Sequence, residues 1–424
     1  MRVVRIWGER EGAFRDLFLP LKQKKIMRKN RWMMGLAALA VISCGVEEVG
    51  RRPEVNREDI WTGPGMNAGN GSREICYITC FDYPEGYDWR TDPQKGSVKC
   101  SLTVFADGLP MMKVPVGDEY QVSPDPDMHR MIDGHLYTDY CTGSETVIKK
   151  DGKTVLRYPA SEVLCGMVVK GDTIYTLGHS RHGDGFAYRR NGEIIIERFS
   201  GRTFGRLHYD DGRICFAFTE PIISENETIE RYYHCADGDI SQAALRDDVK
   251  KVWDIISYNR DISYIASLTG VEKPVLFLDG RMSALVMPQN AEPLSFSMMP
   301  GEEHLFWEGL FKYQDHTVAS ALWLSPERCV SFEEGMVANS CFVSGDEIYC
   351  AFNPAALGGL IYRAGEEFAM PAGYAVMGAG CGTVVNGIFH LGLSSLEGGC
   401  PKLWKDGKLE LLEIHGYIAS VTAG

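Results

Sequence analysis

Apolar positions in this chain come in short runs, not in helical stripes. From residue 75 onward, five to seven residues rich in Val, Ile, Leu, Phe and Tyr meet a Gly-containing turn, and a second such run follows. Clear copies are MVVKGDTIYTLG with FAYRRNGEIIIERF, CFVSGDEIYCAF with LIYRAGEEFAM, and TVVNGIFHLGL with KLWKDGKLELLEI. The turns are Asp-Gly, Asn-Gly or Gly-Asp, dipeptides suited to the positive φ of two-residue hairpins. Each unit is thus a pair of hairpins, four strands in all.

The spacing of the turns sets the architecture. The second hairpin of each unit turns at Gly108, Gly152, Gly192, Gly238, Gly280, Gly365 and Gly407, at intervals of 44, 40, 46, 42, 85 and 42. The interval of 85 is twice the period, and Ser325-Pro326-Glu327 supplies a turn inside it. Eight units with a period of about 43 match the four-stranded blade of a β-propeller. First-hairpin turns number one fewer: Gly134, Gly171, Gly212, Asn259-Arg260, Gly301, Gly345 and Gly387. The deficit predicts that the run Gly416–Val421 pairs with Ile75–Phe81, completing one blade from both ends and removing two open sheet edges. The expectation is an all-β fold, a single eight-bladed propeller over 75–424. Seven blades is the alternative, because the fifth and sixth units are degenerate.

The N-terminal segment has a different pattern. Arg28, Lys29 and Arg31 precede an apolar run of 11 residues, Trp32–Ile42, and then Ser43-Cys44-Gly45. The run is too short to cross a hydrocarbon core of about 30 Å as a helix and fits the apolar region of a secretory signal. Val41-Ile42-Ser43-Cys44 resembles a bacterial lipobox, with Val where Leu is commoner. That resemblance implies a signal peptide over 27–43, lipidation of Cys44, and a membrane contact through the lipid. Residues 1–26 fit no signal and precede a second Met, so Met27 is read as the biological start. The acidic pair Glu47-Glu48 resembles the export signal of surface lipoproteins in Bacteroidetes. The Gly-, Pro- and Asn-rich stretch that follows, within 44–74, reads as a flexible tether. The hairpins themselves, Val169 to Tyr175, Val343 to Tyr349 and Trp404 to Lys408, resemble those of uncharacterised propeller lipoproteins of Bacteroidetes. The resemblance implies a fold and an outer-membrane location, periplasmic or surface-exposed, and no activity.

Composition narrows the function classes. The net charge is −13 with no basic cluster beyond the N-terminus, which argues against nucleic acid as a partner. There is no G-x-S-x-G, H-E-x-x-H, P-loop or dinucleotide fingerprint. No C-x-x-C occurs, so neither a cysteine metal site nor haem attachment is expected, and no cofactor is assigned. Among the 13 cysteines, the Gly345-Asp346 turn sets Cys341 opposite Cys350, within disulfide reach, while Cys215 and Cys235 fall on neighbouring strands. The competing reading is that these cysteines are small buried hydrophobes.

Strand order places the loops between second and third strands on one face, together with the connections between blades. That face carries the long loops and is the expected working face. Its richest segment, 82–99, holds Tyr83, Tyr87, Trp89 and Arg90, an aromatic-plus-Arg set suited to a protein hot spot or to sugar stacking, or else a plug on the first blade. Asp125 and Asp127 could offer oxygens to Ca²⁺, and His179, Arg181, His182 and Asp184 form a polar cluster able to bind a ligand or act in acid–base chemistry. The leading reading is a monomeric, non-catalytic binding module for a glycan or partner protein. The alternatives are a glycan-acting enzyme with its site at the channel mouth and an architectural subunit of an envelope complex.

Overall fold

The computed structural model describes residues 74–89, 100–116, 121–122, 129–141, 145–159, 162–180, 185–223, 228–300, 305–314, 316–333, 335–355 and 358–424. The extension 1–26, the signal segment, Cys44 and the tether up to residue 73 lie outside them. The described chain forms eight antiparallel sheets arranged as a ring, an eight-bladed β-propeller. Six sheets have four strands. In the second and eighth blades the inner strand is in two pieces that pair with one neighbour, Gln121–Val122 with Arg130–Ile132 and Tyr374–Ala375 with Gly382–Val385.

Blade 1 closes the ring. Its inner strand is Gly416–Ala423, followed outward by Cys76–Asp82, Ser101–Ala106 and Leu109–Pro115. The two distant segments pair from Cys76 opposite Ala423 to Asp82 opposite Gly416, with one irregularity between Thr79 and Cys80. The hydrogen bonds continue past the ladder, the Ile75 amide donating to Gly424 O at 2.7 Å and the Gly424 amide back to Ile75 O at 3.0 Å. The turn count therefore gave the correct number of blades and the correct closure. The degenerate fifth and sixth units are complete blades, with Asn259-Arg260 and Pro326-Glu327 as their turns.

One residue type explains why Asp or Asn precedes so many turn glycines. At the turn between third and outer strands, Asp107, Asp151, Asn191, Asp237 and Asp406 adopt φ of 49°, 49°, 50°, 52° and 44°. Short polar side chains tolerate this left-handed region. Each Oδ1 accepts a backbone amide at the start of the second strand: Cys76 at 3.1 Å, Leu136 at 2.9 Å, Ile174 at 2.8 Å, Ile214 at 2.9 Å and Phe389 at 3.0 Å. The turn amide donates in return to the carbonyl of the same residue. Each turn is thereby stitched to its own blade. Blade 7 has Ala364 at this position, with φ of 50°, and keeps only the backbone half, Ala364 N to Ile348 O.

Between blades the core is apolar, and polar ties run around its inner edge. Ser420 Oγ donates to His129 O at 2.7 Å, and Arg130 Nη2 donates to Met167 O at 2.8 Å. His208 Nε2 lies 2.7 Å from Ser257 O, the Met298 amide donates to Asp254 Oδ2 at 2.6 Å, and Ser340 Oγ donates to Ala379 O at 2.7 Å. Each of these ties joins one blade to the next. Apart from Ala379, which is half-buried, the donors and acceptors are buried, so each satisfied pair avoids the roughly 1–3 kcal/mol that an orphaned buried polar group costs.

Candidate functional site

Two excursions leave the long-loop face of the ring. The first is the segment after Asp82, which the sequence reads as an aromatic ligand platform or else a plug on the first blade. The structure turns it inward. The Tyr83 amide donates to His415 O at 2.7 Å, and the Tyr87 carbonyl lies 2.6 Å from His415 Nε2. These bonds draw the segment down onto the seam of blade 1. Trp89 is 1% exposed and its ring centroid lies 4.9 Å from that of Tyr417. Tyr83 is also buried, stacking near Tyr417 and Phe81 and meeting Tyr87 at 5.3 Å. Tyr83 and Trp89 are therefore parts of the core, and Tyr87 packs against it. Three aromatic rings find a place here because Tyr417 comes from the returning C-terminal strand, a neighbour more than three hundred residues away. Arg90, Asp125 and Asp127 lie outside the described residues.

His179 is the penultimate residue of the second strand of blade 3, Thr173–Ser180. Its Nε2 lies 2.6 Å from Thr203 Oγ1, on the inner strand of blade 4, Arg202–Asp210. Removal from water pulls its pKa down to about 4, so at neutral pH it is an uncharged inter-blade tie. Arg181, His182 and Asp184 lie outside the described residues. Among the described residues no group of three or more His, Cys, Asp or Glu side chains could hold a metal ion.

The cysteine pairs resolve differently. Cys341 and Cys350 are directly opposed, as the turn arithmetic predicts, with their Sγ atoms 3.4 Å apart. Cys215 and Cys235 are corrected: Cys235 stands opposite Phe216, and Cys215 opposite Ala236. An offset of one residue points the two thiols to opposite faces of the sheet, so they cannot be bridged. Cys235 joins the core between blades 3 and 4, and burial pushes its thiol up to about 12.

The second excursion is one that sequence reasoning missed. In blade 4 the second and third strands, Arg213–Ile223 and Thr228–Ala236, run on past their neighbours. The inner strand stops pairing at Arg202 opposite Thr219, and the outer strand at Gln242 opposite Tyr233. Glu220 to Ile223 and Thr228 to Arg231 therefore form a two-stranded ribbon, paired to Ile223 opposite Thr228. At about 3.4 Å per residue it projects roughly 14 Å from the blade. In blades 3, 5 and 6 the second strand is paired with its inner neighbour along essentially its whole length.

This arm displays apolar side chains to solvent. Ile223 is 85% exposed and Ile229 52%. Ile222 and Ile229 are a cross-strand pair on the side facing blade 3, and Ile223 lies on the other side. Arg198, at the end of blade 3, forms an ion pair with Glu220 at the arm's base, and the next residue, Phe199, is 83% exposed. Glu220-Pro221 after the apolar run Ile214–Phe218 reads as the end of a strand, so the arm's own residues do not signal its extension. Glu220, Glu225, Glu227 and Glu230 make the same stretch acidic.

No protein-family model matches the chain, and no curated protein sequence does. Solved structures with a similar course of chain include the dihydro-heme d1 dehydrogenase NirN (11% identity, TM-score 0.44, 88% of this chain and 82% of that one). Others are the β-propeller domain of the trilobed protease from Pyrococcus furiosus (10%, 0.39, 84% and 98%) and BamB from Moraxella catarrhalis (10%, 0.30, 83% and 95%). Likeness at this level carries no argument about activity.

Proposed function

We propose that this chain is an exported, lipid-anchored propeller that acts as a non-catalytic binding module, presenting its long-loop face to a partner protein. The observation that supports this reading is the blade 4 arm. A two-stranded ribbon is marginally stable alone in water, and exposed clustered apolar side chains usually mark an interaction surface. Ile222 and Ile229 on the side facing blade 3 and Ile223 on the other, with Phe199 next to the arm's base and Glu220 and Glu230 beside them, suit an apolar groove bordered by basic side chains. The opposite end of the blades also exposes apolar side chains, Leu109, Met282 and Leu409 among them, but these lie on outer strands paired within their own blades. Lipidation at Cys44 would hold the ring at a membrane and leave that face free.

The test is a capture experiment with the folded chain as bait in envelope extract and on a glycan array. A triple change, Phe199→Ser, Ile223→Ser and Ile229→Ser, is compared with Lys408→Ala on the opposite face. The expected result is a defined protein partner whose affinity falls at least about tenfold in the triple variant and is unchanged by Lys408→Ala, since buried hot-spot side chains each contribute about 1–2 kcal/mol or more. A partner retained equally by both variants would move the site off the arm, and capture only on the glycan array would favour the sugar-binding alternative. Partition of the native protein into detergent, lost in Cys44→Ala, tests the anchor.

A further inference from the structure

We propose that Cys341 and Cys350 are a modification site, a thiol pair that a small-molecule or protein disulfide oxidises to a cross-strand disulfide clasping the inner and second strands of blade 7. The strands are Ser340–Ser344 and Glu347–Ala355. The two-residue turn between them makes Ser344 and Glu347 the hydrogen-bonded pair that flanks it. Pairs then alternate, so Phe342 with Tyr349 is hydrogen-bonded and Cys341 with Cys350 is not. In non-hydrogen-bonded pairs the Cα atoms approach to about 4.5 Å and side chains are closest, the spacing a disulfide requires. The thiols already meet at 3.4 Å, Cys341 donating to Cys350.

The two sulfurs also differ in a way that orders the chemistry. Cys350 is fully buried, whereas Cys341 is half-buried and reachable from solvent. Burial raises the Cys350 thiol, an effect partly offset by the hydrogen bond from Cys341. In the first step the Cys341 thiolate attacks the external disulfide, forming a mixed disulfide and releasing one thiolate. In the second step Cys350 loses its proton and attacks Cys341 Sγ, closing the Cys341–Cys350 bond and expelling the second thiolate. Two electrons pass to the external disulfide, which leaves as two thiols carrying the two protons. An exported location, as proposed above, would supply such an oxidant. The pairing of the two sulfurs does not depend on it.

The experiment uses the full folded chain with oxidised glutathione as the probe, an acid quench, denaturation, alkylation and peptide mapping. Alkylation at Cys341 and Cys350 is expected to disappear together, with one peptide linked through both residues, and to return on reduction. The closed loop of about ten residues should raise the melting temperature of the oxidised protein by about 3 °C. That rise should be absent in Cys341→Ser, a half-buried position where the change is mild. Full alkylation of both residues after treatment, or a cross-link from either to a third cysteine in the native protein, would overturn the proposal. So would stable glutathionylation of Cys341 without transfer to Cys350.

Discussion

Two excursions leave the same face of the ring and treat their apolar residues in opposite ways. The segment 83–89 folds its aromatic rings onto the seam of blade 1, where Tyr417 and Phe81 receive them. The blade 4 arm carries Ile223 and Ile229 away from every inner and outer strand that could cover them. The aromatic segment has the composition of a binding platform, and the arm has that of an ordinary strand. What separates them is whether the scaffold offers a receiving surface. In the first case the returning strand supplies one, and in the second both neighbouring strands stop short.

The largest expected effect tests the receiving surface itself. Deleting residues 416–424 removes Tyr417 and the inner strand together and leaves an unpaired edge on Cys76–Asp82. Loss of soluble, cooperatively folding protein is expected, read by size exclusion and urea unfolding. A truncated chain that melts like the full one would break the comparison. Next in size, Trp89→Ala should cost about 3–5 kcal/mol of stability, as for other buried Trp truncations, with partner affinity unchanged in molecules that remain folded. A stable Trp89→Ala protein that binds weakly would restore the platform reading.

An acid titration bears on the junction that supports the arm. His179 has a folded pKa of about 4, below its unfolded value near 6.5. The unfolded chain therefore binds the extra proton in that window, and stability falls as pH drops from about 6.5 to about 4, by about 2–3 kcal/mol from this residue. Burial also lowers His234 and His390, which act in the same direction. Urea unfolding of His179→Gln should show a shallower slope over this window; an unchanged slope would remove His179 from the account. The tight-turn face supplies a gain to set against these losses. Ala364→Asp restores the side-chain half of the turn motif and should stabilise blade 7 by about 0.5–1.5 kcal/mol. The smallest effect belongs to the arm: the Phe199, Ile223 and Ile229 triple change should leave stability within about 0.5 kcal/mol per site, because those side chains make little contact with the body.

Fold was legible because it is written locally and repeatedly. An Asp-Gly or Asn-Gly turn fixes its own geometry, and the recurrence of Gly108, Gly152 and Gly192 fixes the blade. Closure was legible as a shortage of one hairpin. The Cys341–Cys350 register followed from one turn, whereas Cys215 and Cys235 lie on a longer hairpin whose tip does not define the register so directly. For Tyr83 and Trp89 the sequence offered both a platform and a plug on the first blade and did not decide between them, since the plug depends on Tyr417, a contact across more than three hundred residues. Likewise the arm's exposure is set by where the strands of Arg202 and Gln242 stop pairing, which no feature of the arm itself announces. Arg90, Asp125, Asp127, Arg181, His182 and Asp184 fall outside the described residues and remain as stated from sequence.

The seam between Cys76–Asp82 and Gly416–Ala423 also sets a schedule. During synthesis the first blade's other three strands emerge more than three hundred residues before their inner neighbour. Throughout that interval the sheet has an open edge, and the ring cannot close. Contacts of such long sequence separation are slow to form, and open edges in the interval invite pairing with other chains.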